Sequence, residues 1–162
     1  MSLFHPEQKI FQSESALSWR NQMRTEQKKV VLTNGCFDLL HRGHAEYLMA
    51  AKALGDALIV LLNSDRSVRE LKGPERPVNN EMDRAFLMAC LSFVDAVMIF
   101  DSIRCDREIA MLKPDFYAKG GDYTVETLNK DERAALFEAE TEIRFIEFVP
   151  GHSTSSMLKK MK

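Results

Sequence analysis

Two histidines, His41 and His44, are the side chains of this sequence best placed to carry out chemistry. A glycine stands directly before the second histidine. The turn that carries the pair follows a β-branched segment, 30–33, and precedes an amphipathic segment, which predicts a strand, a tight turn and a helix start. Because the exposed backbone amides of a helix start bind anions, phosphate chemistry is the first hypothesis.

Metal binding and thiol chemistry are less consistent with the residues of this turn than phosphate chemistry is. The two histidines straddle the predicted helix start without an evident third ligand, which disfavours zinc. Cys36, Cys90 and Cys105 are widely spaced and form no Cys-x-x-Cys pair, so a reducing, cytoplasmic setting is predicted. A free cysteine usually serves as a small buried hydrophobe, and Cys36 is therefore not predicted to be a nucleophile.

The elements that position this turn alternate between strand and helix along the chain. Strands are predicted at 28–34, 57–62, 95–100, 115–119 and 143–149. Helices are predicted at 13–27, 44–54, 65–71, 81–91, 104–112 and 130–140, with a last one from Ser153. This alternation predicts an α/β fold, a Rossmann-like, doubly wound parallel sheet of five strands in the order 3-2-1-4-5. The polar loops 34–44, 63–65, 120–122 and 151–155 should then meet at the carboxyl ends of the strands.

Length and composition limit the function classes. The 162 residues, 45% hydrophobic and 28% charged, predict one domain over 1–162, with 1–27 as a helical extension. A net charge of −2 does not indicate the basic surface that nucleic-acid binding needs. No apolar run approaches the roughly 20 residues that span a membrane. No secretory signal is evident, and neither a P-loop nor a Gly-x-Gly-x-x-Gly motif is present, which disfavours ordinary ATPases and dinucleotide oxidoreductases.

The stretch 37–44, Phe-Asp-Leu-Leu-His-Arg-Gly-His, resembles the His-x-Gly-His motif of the nucleotidyltransferase (cytidylyltransferase-like) superfamily. A further ordered set of stretches resembles the adenylyltransferase domain of ADP-heptose synthases: 33–38, 63–65, 71–73, 76–78, 94–95, 119–123 and 153–155. The resemblance implies transfer of AMP from ATP to a heptose 1-phosphate, with release of pyrophosphate, for ADP-heptose and lipopolysaccharide core synthesis. It also implies Mg²⁺ as cofactor, a phosphorylated sugar or polyol as partner, and a homo-oligomer.

The resemblance also implies roles for individual residues. His41, His44 and Lys72 would be catalytic, with Lys72 in a Gly/Pro loop that closes over the substrates. Asp38 would hold Mg²⁺, which prefers carboxylate, water and phosphate oxygens. The implied nucleotide-binding residues are Asn34, Gly35, Cys36, Phe37, Gly43, Arg76, Arg84, Gly120, Gly121, Asp122, Ser153, Thr154 and Ser155. Arg84 has an alternative placement, on the exposed face of its helix.

Two other functions stay open. One is a cytidylyltransferase acting on glycerol 3-phosphate or a similar small phosphate, and the other is a nucleotide-binding module without turnover. The sequence departs from the ADP-heptose synthases at 124–141, a charged, alanine-bearing helix where that family often has glycines, and in its Ser-Thr-Ser-Ser ending. No sugar kinase segment is present, so a stand-alone transferase is expected, and the departures leave the acceptor more open than the reaction type.

Overall fold

A computed structural model describes residues 5–121 and 123–147. The helices in this part are α1 (Ser13–Thr25), α2 (Arg42–Lys52), α3 (Asp65–Lys72), α4 (Glu81–Ala89), α5 (Asp106–Leu112) and α6 (Lys130–Glu138). The strands are β1 (Ile10–Phe11), β2 (Val30–Gly35), β3 (Ala57–Asn63), β4 (Ala96–Phe100), β5 (Phe116–Gly120) and β6 (Glu142–Ile146). A short 3₁₀ turn, Pro6–Lys9, precedes β1.

The strands form one parallel sheet in the order β1-β4-β3-β2-β5-β6. All seven residues of β3 are buried, as a continuous apolar strand covered on both faces requires. The chain runs outward from β2 to β4 and then crosses back, so that β5 lies on the other side of β2. The winding direction reverses between β2 and β5, and α/β sheets bind ligands beyond the carboxyl ends of the strands at such a point.

Helices cover both faces of the sheet, as predicted. On one face, Ala16 of α1, Ile109 of α5 and Leu136 of α6 belong to one apolar cluster with the inward side chains of the strands. On the other face, Leu48 of α2 and Met88 of α4 belong to a second cluster. Alternate residues of β2 and β3 enter the two clusters, which is the two-residue period of a strand. The sheet is therefore buried from both sides and exposes its functional groups at an end.

The predicted strand count needs correction, because the described residues form six strands rather than five in the order 3-2-1-4-5. The added strand, Ile10–Phe11, pairs with β4 at the sheet edge, and the five longer strands keep the predicted relative order. Two residues are too few to show a strand period, so the sequence carried no signal for this strand. In α1, Arg20 is 4% exposed and donates hydrogen bonds to the carbonyls of Leu112 and Lys113, which fastens α1 to the end of α5.

Four helices end two residues before their predicted ends, at Thr25, Lys52, Ala89 and Glu138. In each case the last predicted residue donates its backbone N–H to the carbonyl three residues earlier, which is a 3₁₀ turn rather than an α-helical one. The donors are Gln27, Leu54, Leu91 and Glu140. The amphipathic sequence pattern therefore extends two residues beyond each α-helix, into a 3₁₀ turn. The predicted helix from Ser153 lies outside the described residues.

Candidate active site

A cleft of about 370 Å³ opens at the carboxyl ends of β2, β3 and β5. Its volume is within the range of small-molecule sites, and it lies at the point where the strand order reverses. Of the predicted site residues, those that line it are Asn34, Gly35, Cys36, Phe37, Asp38, His44, Lys72 and Gly120. Asn63 of the predicted loop 63–65 also lines the cleft, so residues of three of the four predicted loops meet here, and the fourth loop, 151–155, lies outside the described residues.

The two histidines form one stacked unit at the start of α2. His41 is the N-cap residue, and its Nδ1 accepts a hydrogen bond of 3.3 Å from the backbone N–H of His44. The helix consequently begins at Arg42, before the predicted start at residue 44. The imidazole rings lie 3.8 Å apart and nearly parallel, and Phe37 packs edge-on against His44 at 5.1 Å. His44 is therefore held at the cleft wall in a fixed orientation.

The environment of His44 keeps its imidazole neutral. Burial, the neighbouring His41 and the positive charge of Lys72 together lower its pKa from 6.5 to about 4, although the carbonyl of Leu39 favours the charged form. At neutral pH the ring presents one N–H donor and one acceptor. A bound polyanion would favour the imidazolium form, so an arriving phosphate would raise this pKa.

The turn before α2 leaves no room for a side chain at Gly35. A Cβ atom there would lie 2.9 Å from the Phe37 ring. Phe37 itself has a φ of 43°, a left-handed conformation that a non-glycine residue adopts only when its surroundings hold it. Gly43 is buried in the first turn of α2 and does not line the cleft. Through this close turn, the last residues of β2 line the cleft.

Cys36 lies in this turn and is only partly buried. Burial raises the pKa of its thiol, while Lys72 and Arg84 pull the pKa in the opposite direction. The protonated thiol is a weak nucleophile. Cys36 therefore contributes shape and backbone groups to the cleft.

Asp38 is 1% exposed, and both of its carboxylate oxygens accept hydrogen bonds from the segment after α3. Oδ2 accepts from Nε of Arg76 at 2.5 Å, and Oδ1 accepts from the backbone N–H groups of Val78 at 2.8 Å and Asn79 at 3.2 Å. An ionised carboxylate has about four lone-pair sites, and three of those on Asp38 already accept hydrogen bonds from the protein. Among the described residues, no group of three or more His, Cys, Asp and Glu side chains is arranged to hold a metal. The metal-ligand role stays a prediction, and the contacts favour Asp38 as the anchor of segment 76–79.

Arg84 is 1% exposed, so its alternative placement on an exposed helix face is wrong. Its guanidinium donates to the carbonyl of Cys36 at 2.7 Å, to the carboxylate of Asp65 at 2.8 Å and to the carbonyl of Asn79. These contacts tie the turn after β2 to α3 and α4. Arg84 and Arg76 do not line the cleft, and their nucleotide contacts remain predictions.

Lys72 is the last residue of α3 and lies before the Gly/Pro loop that was predicted to contain it. Its side chain is exposed and lines the cleft, close enough to act electrostatically on His44 and Cys36. Gly73 follows it with a φ of 98° and ends the helix. Lys72 thus places a positive charge at the cleft on a helix end.

A polar network on β2 and β5 adds Lys119, which was not predicted as a site residue. Its Nζ donates to Oδ1 of Asn34 at 3.1 Å, and the Tyr117 hydroxyl donates to the same oxygen at 2.8 Å. Nζ also lies 5.5 Å from the centre of the Tyr123 ring. Lys119 opens the Lys-Gly-Gly-Asp-Tyr stretch, so this motif carried the signal for it.

Seven further residues line the cleft without having been predicted individually as site residues: Tyr47, Asn63, Leu71, Ile103, Arg104, Tyr123 and Glu132. Asn63, Leu71 and Tyr123 lie in the motif stretches 63–65, 71–73 and 119–123, whereas the other four carried no such signal. Tyr47 is buried and joins β2 to β5, because its hydroxyl contacts Thr33 at 2.7 Å and donates to the carbonyl of Ala118 at 2.9 Å. The sequence pattern predicts only that Tyr47 lies on the apolar face of α2. The contacts of its hydroxyl depend on the pairing of β2 with β5, which the local sequence does not show.

Gly120 and Gly121 form the end of β5 and the turn that follows it. Gly120 lines the cleft, and Gly121 has a φ of 101° and donates its N–H to the carbonyl of Ile146. The positive φ explains why glycine stands there. Asp122, Ser153, Thr154 and Ser155 lie outside the described residues.

The described arrangement is a cleft at the switch point of a parallel α/β sheet, and its groups are suited to binding anions. Lys72 and Lys119 supply positive charge, the start of α2 supplies backbone N–H groups, and His44 supplies a neutral imidazole. Fold and cleft together define a nucleotide-binding class of α/β protein.

The family model described as cytidylyltransferase-like matches residues 32–160. This span includes the turn, every residue that lines the cleft, the last four residues of β2 and all the described strands from β3 to β6. The chain belongs to the cytidylyltransferase-like family, and the superfamily resemblance of its motifs is thereby confirmed.

Curated relatives match most of this chain. The bifunctional protein HldE of Helicobacter pylori strain G27 is 54% identical over 136 residues, which are 84% of this chain and 28% of that protein. The bifunctional protein HldE of Helicobacter acinonychis is 48% identical over 98% of this chain and 32% of that protein. The chain therefore spans about three-tenths of the length of these relatives.

Two solved structures share the fold. A lipopolysaccharide core biosynthesis protein from Thermoplasma volcanium is 25% identical with a TM-score of 0.62, covering 75% of this chain and 97% of that one. A pantoate–β-alanine ligase from Francisella tularensis has a TM-score of 0.60 at 14% identity, covering 90% and 68% of the two chains. The second likeness concerns the fold alone. Within the described residues, no helix combines the length and apolar character needed to cross a membrane.

Proposed function

We propose that this protein is an adenylyltransferase that moves AMP from ATP to a sugar 1-phosphate of the heptose type and releases pyrophosphate. The observation that carries the proposal is the cleft at the β2–β5 switch point, where His44, the start of α2 and two lysines converge. The motif resemblance to the ADP-heptose synthases and the relatives named bifunctional protein HldE support this substrate class. Roughly half of the residues are identical in those relatives, although they are longer proteins.

The reaction is an in-line displacement at the α-phosphorus of ATP. An oxygen of the acceptor phosphate forms the new P–O bond, and the bond to the bridging oxygen of the β-phosphate breaks, so that pyrophosphate leaves with the electron pair. Such a reaction asks the protein mainly for alignment and positive charge. In our proposal the N–H groups at the start of α2 and the His44 ring donate hydrogen bonds to phosphate oxygens, and His41 keeps that ring in place by stacking and capping.

The two lysines extend the positive charge to both sides of the turn. Lys72 stands at the end of α3, and Lys119 stands on β5 beside Asn34. We assign Lys72 to the triphosphate, since its charge already reaches His44. Lys119 then contacts either the phosphate-bearing acceptor or the ribose of ATP in our proposal.

Magnesium accompanies nucleoside triphosphates and usually keeps phosphate and water oxygens as ligands. Asp38 already accepts hydrogen bonds from Arg76, Val78 and Asn79, which leaves its carboxylate little capacity for an ion. We propose that the ion enters with ATP and is held by the triphosphate. A cytoplasmic location, where ATP is abundant, and a homo-oligomer remain part of the proposal.

The proposal is tested by incubating the full chain with ATP, CTP, GTP or UTP and a panel of sugar and polyol phosphates. Pyrophosphate release and product mass are measured together. We expect release with ATP and heptose 1-phosphate, with a product of the mass of an ADP-sugar. Preference for CTP with glycerol 3-phosphate would instead select the cytidylyltransferase alternative, and tight ATP binding without product across the panel would select a non-catalytic module.

A further inference from the structure

A buried carboxylate, Glu132 in the first turn of α6, lies at the wall of the cleft. It is 3% exposed, and no ion pair within the described residues includes it. Glutamate is almost never buried this fully unless it is paired, because burial without a partner costs free energy. The burial of Glu132 at the cleft wall therefore needs a physical explanation, whereas a solvent-exposed glutamate on a helix would not.

The protein satisfies one of the two carboxylate oxygens. Oε1 accepts a hydrogen bond from the backbone N–H of Cys105 at 3.2 Å and contacts its thiol at 3.4 Å. For Oε2, the part of the chain that the structure describes supplies no hydrogen-bond donor. The Asn129 side chain caps α6 and holds the backbone N–H of Glu132 at 3.3 Å, so the carboxylate is carried on a fixed helix start.

The cleft lining thus carries two chemically different kinds of group. His44, Lys72 and the start of α2 are suited to phosphate. The Glu132 carboxylate instead attracts hydrogen-bond donors such as hydroxyl groups. Burial raises the pKa of Cys105, and Glu132 raises it further while Lys119 lowers it, so Glu132 and Lys119 both lie within electrostatic reach of Cys105.

We propose that Glu132 is a specificity-determining residue whose carboxylate accepts hydrogen bonds from the hydroxyl groups of a sugar ring in the cleft. The inference rests on the proposed function, in which two sugar rings enter: the ribose of ATP and the ring of the acceptor. Both offer neighbouring hydroxyls, which a carboxylate oxygen recognises in the same way. Glu132 lies in segment 124–141, where the sequence departs from the ADP-heptose synthases, so it belongs to the part of the chain expected to choose the acceptor.

The test compares Glu132→Gln with wild type and with Glu138→Gln, a matched change at an exposed position of the same helix. Glutamine keeps the size of the side chain and an oxygen for the Cys105 N–H, but it removes the charge. We expect KM for one sugar-bearing substrate to rise about tenfold, the difference between a charge-assisted and a neutral hydrogen bond, with the melting temperature nearly unchanged. Glu138→Gln should match wild type.

Deoxy substrates identify the ring. If Glu132 contacts the acceptor, removal of the contacted hydroxyl in a deoxy sugar 1-phosphate and Glu132→Gln will have non-additive effects on KM. If it contacts ribose, the non-additivity will appear with 2′-deoxy-ATP or 3′-deoxy-ATP. Additive effects with every deoxy substrate, or a change confined to the melting temperature, would overturn the inference in favour of a purely structural contact with Cys105.

The same variants distinguish failure of the inference from failure of the proposed function. Wild type that releases no pyrophosphate from any pair of substrates contradicts the proposed adenylyl transfer. Calorimetric Kd values for ATP and for the sugar phosphate, measured separately on each variant, then still report whether Glu132→Gln weakens binding of either. Equal Kd values for both ligands in wild type and Glu132→Gln would overturn the role of Glu132 whether or not the protein turns over.

Discussion

Replacing Asp38 by asparagine should destabilise the protein substantially. The side chain is 1% exposed, and it accepts hydrogen bonds from Arg76, Val78 and Asn79 with distances between 2.5 and 3.2 Å. Asparagine has the same shape, but one oxygen becomes an NH₂ group that cannot accept any of these bonds. The change also leaves the guanidinium of Arg76, which is 15% exposed, without its counter-charge.

Removing one partner of a buried ion pair costs about 3–5 kcal/mol, and the partial exposure of Arg76 favours the lower end of that range. We therefore expect the free energy of unfolding to fall by about 3 kcal/mol. For a chain of this length that loss corresponds to a melting temperature lower by roughly 6–12 °C.

The assay is equilibrium unfolding in urea, without nucleotide or metal. A double-mutant cycle with Arg76→Gln should give a coupling free energy above ~1 kcal/mol, because the two side chains share one contact. Arg66→Gln, which disrupts the exposed pair with Asp101, is the control and should leave the free energy of unfolding close to that of wild type.

The competing account makes Asp38 a magnesium ligand. It predicts that Asp38→Asn keeps wild-type stability in the absence of metal and loses activity in a way that added Mg²⁺ partly restores. Wild-type stability of Asp38→Asn together with zero coupling to Arg76 would refute the anchoring role.

Three further predictions follow from the same cleft. His44 has a pKa of about 4 in the folded protein against 6.5 when unfolded, so the unfolded chain binds the proton first. Its contribution to stability should be full above pH 6.5 and be lost as pH falls from about 6.5 to about 4, and a His44→Gln variant should show a flatter pH profile of the melting temperature. Lys72→Met should raise KM for ATP about tenfold without changing the melting temperature, because the side chain is exposed, whereas an unchanged KM would remove Lys72 from the triphosphate site. Gly35→Ala should lower the free energy of unfolding by about 1–3 kcal/mol, because its Cβ would lie 2.9 Å from the Phe37 ring, and a neutral result in urea unfolding would show that the ring moves freely.

Most of the sheet was predictable because its strands are long and apolar. β3 is a continuous hydrophobic run with every residue buried, and Gly or Asn marks the loops around it. β1 was not predictable, since two residues contain no period, and its place at the edge depends on pairing with β4. Local patterns fail where a tertiary contact decides the structure.

The motif predicted most of the β2–α2 turn that lines the cleft, whereas the burial of Arg84 and Glu132 was not predictable. Arg84 and Glu132 both occupy helical segments in which charged residues usually face solvent, and both are buried. Arg84 is buried because the carbonyls of Cys36 and Asn79 and the carboxylate of Asp65 converge on it. Convergence from three separate segments leaves no trace in a single sequence.

The most direct test of the central claim is pyrophosphate release from ATP and heptose 1-phosphate by wild type and by His44→Ala, with product mass determined in parallel. We expect wild type to form an ADP-sugar. His44→Ala should lose at least about a hundredfold in kcat, as when a donor to transition-state charge is removed, while circular dichroism shows the fold intact. Equal rates for the two proteins, or a wild type that releases pyrophosphate without forming the ADP-sugar, would contradict the account.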